Sequence, residues 1–181
     1  AISVQSSLVI HPIFTFGSEE QKKKYIPELI KGDLIGCFGL TESITGSNPS
    51  AMETNFEEVS DGYVLNGSKN WITNAPIADV FIIWAYDKNK NVHGFILDKQ
   101  LKGLTTSKIE KASIKIAQAG KIFLKDVKVS KDSILPNTQG WKSVYSCINK
   151  ARYGIAWGAM GAAETCWYIA KDYTEKRIVN E

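Results

Sequence analysis

Gly36-Cys37-Phe38-Gly39-Leu40-Thr41-Glu42, joined further along by Trp71-Ile72-Thr73-Asn74, decides how this chain is read. The first stretch is a buried strand that runs out into a polar loop. That loop, Thr41 to Ser50, is rich in Ser, Thr, Gly, Asn and Pro and carries one Glu. The second stretch sets a large aromatic beside a hydroxyl, directly after the turn-rich Leu65-Asn66-Gly67-Ser68-Lys69. A flat ligand with polar edges needs such parts: an aromatic wall, hydroxyls, and free backbone N–H groups at a strand end.

Working outward, 181 residues suffice for one domain with a real core, or for one domain plus pieces of others. A hydrophobic share of 44% against 23% charged residues is that of an ordinary globular chain. A net charge of +3 is too small to argue for nucleic acid. The cluster Lys22-Lys23-Lys24 reads as a solvated helix face. Cys37, Cys147 and Cys166 are widely spaced, which predicts reduced, buried thiols in a reducing compartment. His11 and His93 stand far apart, so no metal site is expected. No signal peptide is visible and no apolar run suits a bilayer, so no stable membrane insertion is expected. Asn66-Gly67-Ser68 matches a glycosylation acceptor, but a tight turn is the preferred reading.

Three regions follow from the periodicity. Residues 1–33 read as helical, with Val4 and Leu8 on an apolar stripe up to His11-Pro12. Ser18-Glu19-Glu20-Gln21 has capping-box form. The helix it opens should bury Tyr25, Ile26, Leu29 and Ile30, break at Pro27, and end at Gly32-Asp33. Residues 34–140 switch to short strands: Leu34–Leu40, Thr54–Ser60, Tyr63–Leu65, Val80–Tyr86, Val92–Asp98, Leu104–Ile109, Lys121–Leu124 and Val127–Val129. Asp61-Gly62 marks a hairpin, and Asp87–Asn91 a looser turn. Many short strands argue for an all-β barrel or sandwich. Residues 141–181 return to helical spacing through Val144, Ile148, Ala151, Ile155 and Gly158. Gly154, Gly158 and Gly161 each cost such a helix about 1 kcal/mol against Ala and suit a close neighbouring helix. Arg152 stands inside an apolar run, where a guanidinium needs a partner. The fold class is therefore α+β: a helical segment, a β middle domain, and a long terminal helix.

Taken together, the chain resembles the middle portion of the acyl-CoA dehydrogenases, and within them the glutaryl-CoA dehydrogenase branch. The motifs carrying the likeness are Gly36–Glu42, Ala51-Met52-Glu53-Thr54, Asn66-Gly67 with Lys69, Trp71-Ile72-Thr73, and Ala151-Arg152-Tyr153-Gly154-Ile155-Ala156-Trp157-Gly158. The resemblance implies an excerpt: the end of an N-terminal helical domain, a whole β domain, and the first helix of a C-terminal bundle. It implies FAD as cofactor, held by Phe38, Leu40, Thr41, Ser47, Trp71, Ile72, Thr73 and Arg177. Thr41 would serve the pyrimidine side, Trp71 would flank the ring, Thr73 would lie near N5, and Arg177 would reach the phosphates. Ser47, Tyr145, Asn149 and Arg152 would contact an acyl-CoA thioester. The catalytic Glu of the family falls beyond Glu181, and Glu42 matches a Glu that is structural in the family. An electron-transfer flavoprotein partner and a homo-oligomer, a tetramer in the family, are implied too. The implied compartment is the bacterial cytoplasm or the mitochondrial matrix. The chain departs from the family pattern at Glu42-Ser43, where Glu-Pro is usual, at Asn48, where Asp is usual, and at Val179-Asn180-Glu181, where Gln-Phe-Gly is usual.

Two rival expectations stand beside this one. An acyl-CoA oxidase on the same fold would pass its electrons to oxygen. A non-catalytic module would use the glycine-bearing helix as an interface.

Overall fold

The computed structural model describes residues 2–178. A π-helical stretch, Val4–Ile10, runs straight into α1 (His11–Phe16), and α2 (Glu19–Lys31) follows. The expected capping box is present. Ser18 Oγ accepts from the Gln21 N–H at 3.2 Å, and Gln21 Oε1 accepts from the Ser18 N–H at 2.9 Å. Gln21 also ties α2 to the β domain, because its Nε2 donates to the carbonyls of Asp132 and Ile134 at 2.7 and 2.8 Å. Pro27, expected to break α2, lies within it without a break. It sits on the exposed side, where water can reach the carbonyl it leaves unpaired. Ile30, expected inward, is exposed; the buried stripe is the narrower Gln21, Tyr25, Leu29 series at four-residue steps.

The middle of the chain is a curled seven-stranded sheet. Its strands are β1 (Gly36–Gly39), β2 (Asn55–Val59), β3 (Gly62–Thr73), β4 (Val80–Tyr86), β5 (Val92–Asp98), β6 (Leu104–Ile109) and β7 (Ala119–Ser130). They run in the order β1-β4-β2-β3-β7-β6, with β5 also on β4. β1 and β2 pair with β4 in parallel, and the other pairs are antiparallel. The β2–β3 hairpin turns where Asp61-Gly62 predicts, with Val59 opposite Gly62.

Two strands are longer than their sequence suggests, and both differences come from bulges. β3 continues past Leu65 to Thr73, and the segments 121–124 and 127–129 are one strand, β7. Asn66-Gly67 is therefore not a tight turn. Leu65 faces Val127 but Gly67 faces Leu124, so β7 carries one extra residue there. Asn66 fastens that bulge: Oδ1 accepts from the Asp126 N–H at 2.8 Å and Nδ2 donates to Asp126 Oδ1 at 3.2 Å. Gly67 has φ +146°, and a Cβ there would stand 2.7 Å from Thr54 Cα. An Asn-Gly pair serves a hairpin turn or a close backbone approach equally well, and here the distant partner strand decides. The second slip lies between Lys69↔Ile122 and Ile72↔Gly120, with the extra residue on β3.

β4 is buried from end to end. Its even-numbered side chains, Val80, Ile82, Trp84 and Tyr86, join the helical arm through Val9, Ile13, Tyr25 and Leu29. Its odd ones, Phe81, Ile83 and Ala85, face the interior of the curl with Cys37, Leu65, Phe95 and Ile122. One strand thus serves two cores, which explains its continuous apolar sequence.

α3 (Trp141–Lys176) has 36 residues and so is about 54 Å long. Only its first turns are buried, at Ser143, Val144 and Cys147. From Arg152 onward it is exposed, Trp157, Met160, Trp167 and Tyr168 included. Gly154 stands 3.1 Å from Ser3 Oγ by its ideal Cβ, while Gly158 and Gly161 face open space among the described residues. Cys166 is exposed, against expectation; Cys37 and Cys147 are buried. Among the described residues no helix is long and apolar enough to cross a membrane.

The close approach at Gly67 gives a direct test. Gly67→Ala is expected to destabilise the fold by about 2 kcal/mol or more, because the new methyl overlaps Thr54 and the backbone is in a region unfavourable to L side chains. Urea unfolding of the two proteins would measure this, and an unchanged midpoint would contradict the close packing of β3 on Thr54.

Candidate functional site

A cleft of about 680 Å³ opens where β1 ends, β3 bulges, and α3 crosses the π-helical arm. Phe38, Leu40, Thr41, Gly46, Ser47 and Pro49 line it from the first stretch quoted above and its loop. Trp71, Ile72 and Thr73 line it from β3, and Val4 and Leu8 from the arm. Tyr145, Ile148, Ala151, Arg152, Ile155 and Ala156 form the wall supplied by α3. Their spacing of three and four residues is that of one helix face.

The threonine-bearing segments do converge. The Asn70 N–H donates to the Thr41 carbonyl at 2.8 Å, which stitches the end of β1 to the bulge of β3. At that bulge Trp71 adopts φ +60°, rare for a bulky side chain, and is left 58% exposed. Ile72, next in line, turns inward and is buried. Protein partners are found by the hydroxyls of Thr15, Thr54, Thr138, Thr165 and Thr174. Those of Thr41 and Thr73 are not among them, and both residues line the cleft.

Two expected site residues stand apart. Asn149 is exposed and lies outside the cleft lining; its Oδ1 accepts from Arg152 Nη1 at 3.4 Å. Arg177, one residue past α3, is exposed and far along the chain from the cleft wall. Arg152 itself does reach the cleft, but it is exposed, so the need for a buried ionic partner does not arise. The departures expected at 179–181 lie outside the described residues.

Beneath the cleft is a feature the sequence reading passed over. Lys69 is a fully buried lysine: its side chain is 0% exposed, and Nζ meets Glu42 Oε1 at 2.8 Å. Nζ also donates to the Leu40 carbonyl at 3.2 Å. Glu42 accepts further bonds from the Glu53 N–H at 2.7 Å, the Thr54 N–H at 3.0 Å and Thr54 Oγ1 at 2.6 Å. Burial pushes the Glu42 carboxyl up, but the Lys69 charge and these hydrogen bonds outweigh it and hold its pKa below the usual value. Burial draws Lys69 down to about 8, with Glu42 pulling the other way. A signal was present in the sequence. Once β3 is extended, strand alternation sets Lys69 on the inward face of Leu65, and Glu42 is the one acid of its loop.

Glu42 is thus a structural carboxylate with every oxygen engaged, and it does not line the cleft. Among the described residues no Asp or Glu lines it. What the cleft offers is an exposed aromatic wall, hydroxyls without partners among the described residues, and an apolar floor. That set suits a flat ring with polar edges, lying beside a flexible apolar chain.

Comparison with known proteins identifies the family. The family model for the acyl-CoA dehydrogenase middle domain matches residues 37–127, and that for the N-terminal domain of the same enzymes matches residues 1–33. The chain belongs to the acyl-CoA dehydrogenase family. It is 37% identical over 187 residues to a glutaryl-CoA dehydrogenase of Desulfococcus multivorans, covering 98% of this chain and 48% of that protein. It is also 37% identical to the human mitochondrial short-chain specific acyl-CoA dehydrogenase, covering 98% of this chain and 44% of that one. A glutaryl-CoA dehydrogenase from Mycobacterium smegmatis, solved in complex with FADH2, superposes with a TM-score of 0.96 at 39% identity, over 99% of this chain and 47% of that chain. The chain spans about half the length of the relatives it matches. Within this chain, the strand side of the cleft falls in the matched middle domain and Val4 and Leu8 in the matched N-terminal segment. The expected fold class stands.

The buried pair makes two measurable demands. Glu42→Gln leaves an unpaired ammonium in the core and should cost about 3–5 kcal/mol, whereas Glu42→Gln combined with Lys69→Met should cost less than the single change. Additive losses in urea unfolding would contradict the pairing. Glu42 also fixes an acid limb. Its folded pKa is lowered, so its contribution is complete above its unfolded value near 4.5 and is lost as the pH falls through the folded value. Between pH 5 and 3 the stability of the native chain should therefore fall more steeply than that of the double variant.

Proposed function

We propose that this chain forms the flavin-facing core and one wall of the acyl-CoA cleft in an FAD-dependent acyl-CoA dehydrogenase. The observation that carries this reading is the meeting of Thr41, Trp71 and Thr73 on one cleft, with no hydrogen-bond partner for either hydroxyl among the described residues. The similarity to a glutaryl-CoA dehydrogenase solved with FADH2 supports the same cofactor. The residues present fit such a ring: an exposed indole to lie against it and donors at its edges. Bound FAD would supply the acceptor for a hydride from the β-carbon of the thioester.

The chain's own side chains then have distinct tasks. Thr41 and Thr73 donate hydrogen bonds to the polar rim of the ring, where they favour the more negative, reduced form. Trp71 walls the ring off from water. Val4, Leu8, Ile148 and Ile155 make an apolar slot for the acyl chain, and Arg152 and Ser47 lie among polar groups of the same cleft. Removal of the α-proton needs a general base, for which the family likeness implies a Glu. No Asp or Glu is among the described residues that line the cleft, which supports a base supplied from outside it. Glutaryl-CoA is the favoured substrate and short acyl-CoA thioesters come next, following the relatives. An electron-transfer flavoprotein as acceptor, assembly as a homo-oligomer, and Arg177 and Asn149 acting from outside this cleft complete the proposal.

Titration of the chain with FAD, followed by flavin fluorescence, tests it. Saturable binding is expected, weakened about tenfold by Thr41→Val or by Thr73→Val, as befits the loss of one hydrogen bond of about 1–1.5 kcal/mol. A folded chain that leaves FAD fluorescence untouched would overturn the assignment. Loaded with FAD and given butyryl-CoA or glutaryl-CoA with an artificial electron acceptor, the chain alone should show no desaturation. Turnover at ordinary enzyme rates would show that a base lies within it.

A further inference from the structure

The buried Lys69 does not touch the cleft, yet it grips the segment that forms it. Its ammonium donates to the Leu40 carbonyl at 3.2 Å and to Glu42 Oε1 at 2.8 Å, the residues on either side of Thr41. Thr41 is thereby bracketed from below, while its own carbonyl is held by the Asn70 N–H, next after Lys69 on β3. We propose that Lys69 is a positioning residue for the site: a buried cation that sets where Thr41 presents its hydroxyl to the ligand.

Three details show that the bracket is built rather than incidental. The lysine stem has a prepared path over Gly39, where an added Cβ would stand 3.2 Å from Lys69 Cγ and 2.5 Å from Ile83 Cδ1. The ammonium finds a third neighbour in Met52 Sδ at 3.6 Å, so its three donors are directed. Glu42 is fixed independently of the lysine, by two backbone N–H groups and the Thr54 hydroxyl. Thr54 in turn stands against Gly67, the β3 residue opposite the bulge of β7. Both ends of the bracket are thus anchored to β3, the strand that carries Trp71 and Thr73. Lys69 makes the two halves of the cleft move as one body.

This inference rests on the reading of the cleft as a flavin site, and the test separates the two. FAD affinity and the visible absorption band of bound FAD are measured for the native chain, for Lys69→Met, for Glu42→Gln/Lys69→Met, and for Val127→Ala. Val127 is buried in the sheet interior, away from the cleft, and serves as a purely destabilising control. All measurements are made where circular dichroism shows the protein folded. Should Lys69→Met fail to fold, the double variant, which leaves no unpaired buried charge, carries the test. Either lysine variant is expected to bind FAD at least tenfold more weakly, with the flavin band shifted towards that of free FAD, while Val127→Ala keeps affinity within twofold and the native band. Folded lysine variants with native affinity and band overturn the positioning role. So does an equal loss in Val127→Ala, because the effect is then one of general stability. No FAD binding by the native chain overturns the flavin reading itself.

Discussion

The Lys69–Glu42 ion pair is the constraint on which this architecture turns. β1 ends at Gly39, and beyond it the chain leaves the sheet as a polar loop. Such a loop at a sheet edge has many conformations and little apolar surface with which to choose among them. The buried pair supplies the choice. It places a full charge in the core, where an unpaired group is prohibitively unfavourable, and offers one arrangement in which every donor and acceptor is satisfied. A mispaired loop would leave an ammonium or a carboxylate stranded, so the alternatives are penalised more than the native state is favoured. That asymmetry suits a region whose task is to hold ligand-facing groups in register.

The position of the cleft follows from β4. A strand buried on both faces divides the molecule into a helical core and a sheet-interior core. β1 lies beside it in parallel, with Phe38 on the helical side and Cys37 in the interior. Where β1 stops, the two cores part, and the gap between them is bounded by the arm, by α3 and by the β3 bulge. The cleft is therefore the place where the layers cease to pack, with Leu40 still in the helical core and Thr41 the first residue beyond it.

Much of this was legible in the sequence. Ser18 to Gln21 announced the start of α2, Asp61-Gly62 announced the first hairpin, and β4 and β5 fall where their apolar runs lie. These signals are local, and local chemistry decides them. The clustering of Thr41, Ser47, Trp71, Thr73 and Arg152 was expected from the family likeness; the residue pattern alone supplied the parts without their arrangement. What stayed hidden depended on partners distant in sequence. Asn66-Gly67 reads as a turn until Thr54 and Asp126 are known to be its neighbours. Lys69 reads as the end of a turn-rich stretch until Glu42, 27 positions earlier, is seen to neutralise it in the core. Pro27 reads as a breaker because sequence does not say that its face of the helix meets water. The buried-charge argument for Arg152 failed for a related reason: an apolar run on a helix implies burial only where another element covers it, and α3 is exposed from Arg152 onward.

The geometry of Trp71 ties these strands together. A left-handed backbone at a bulky aromatic costs on the order of 1–3 kcal/mol and persists only where the surroundings over-determine it. Here they do. On one side Lys69 is locked in the core, and the Asn70 side chain accepts from the Trp71 N–H at 3.0 Å. On the other, Ile72 is buried and paired with Gly120. Asn74, also left-handed at φ +70°, donates from its side chain to the Gly36 carbonyl at 3.1 Å. The last bond returns to the start of β1, so a loop of constraints runs from β1 through Lys69 and the bulge back to β1. Without the extra residue on β3, the strict alternation that points Lys69 inward would point Trp71 inward too. The bulge releases the indole to the cleft while Lys69 and Ile72 stay in the core. An exposed tryptophan held in a strained backbone is hard to account for as packing, and it is the structural reason to read this end of the sheet as a binding surface.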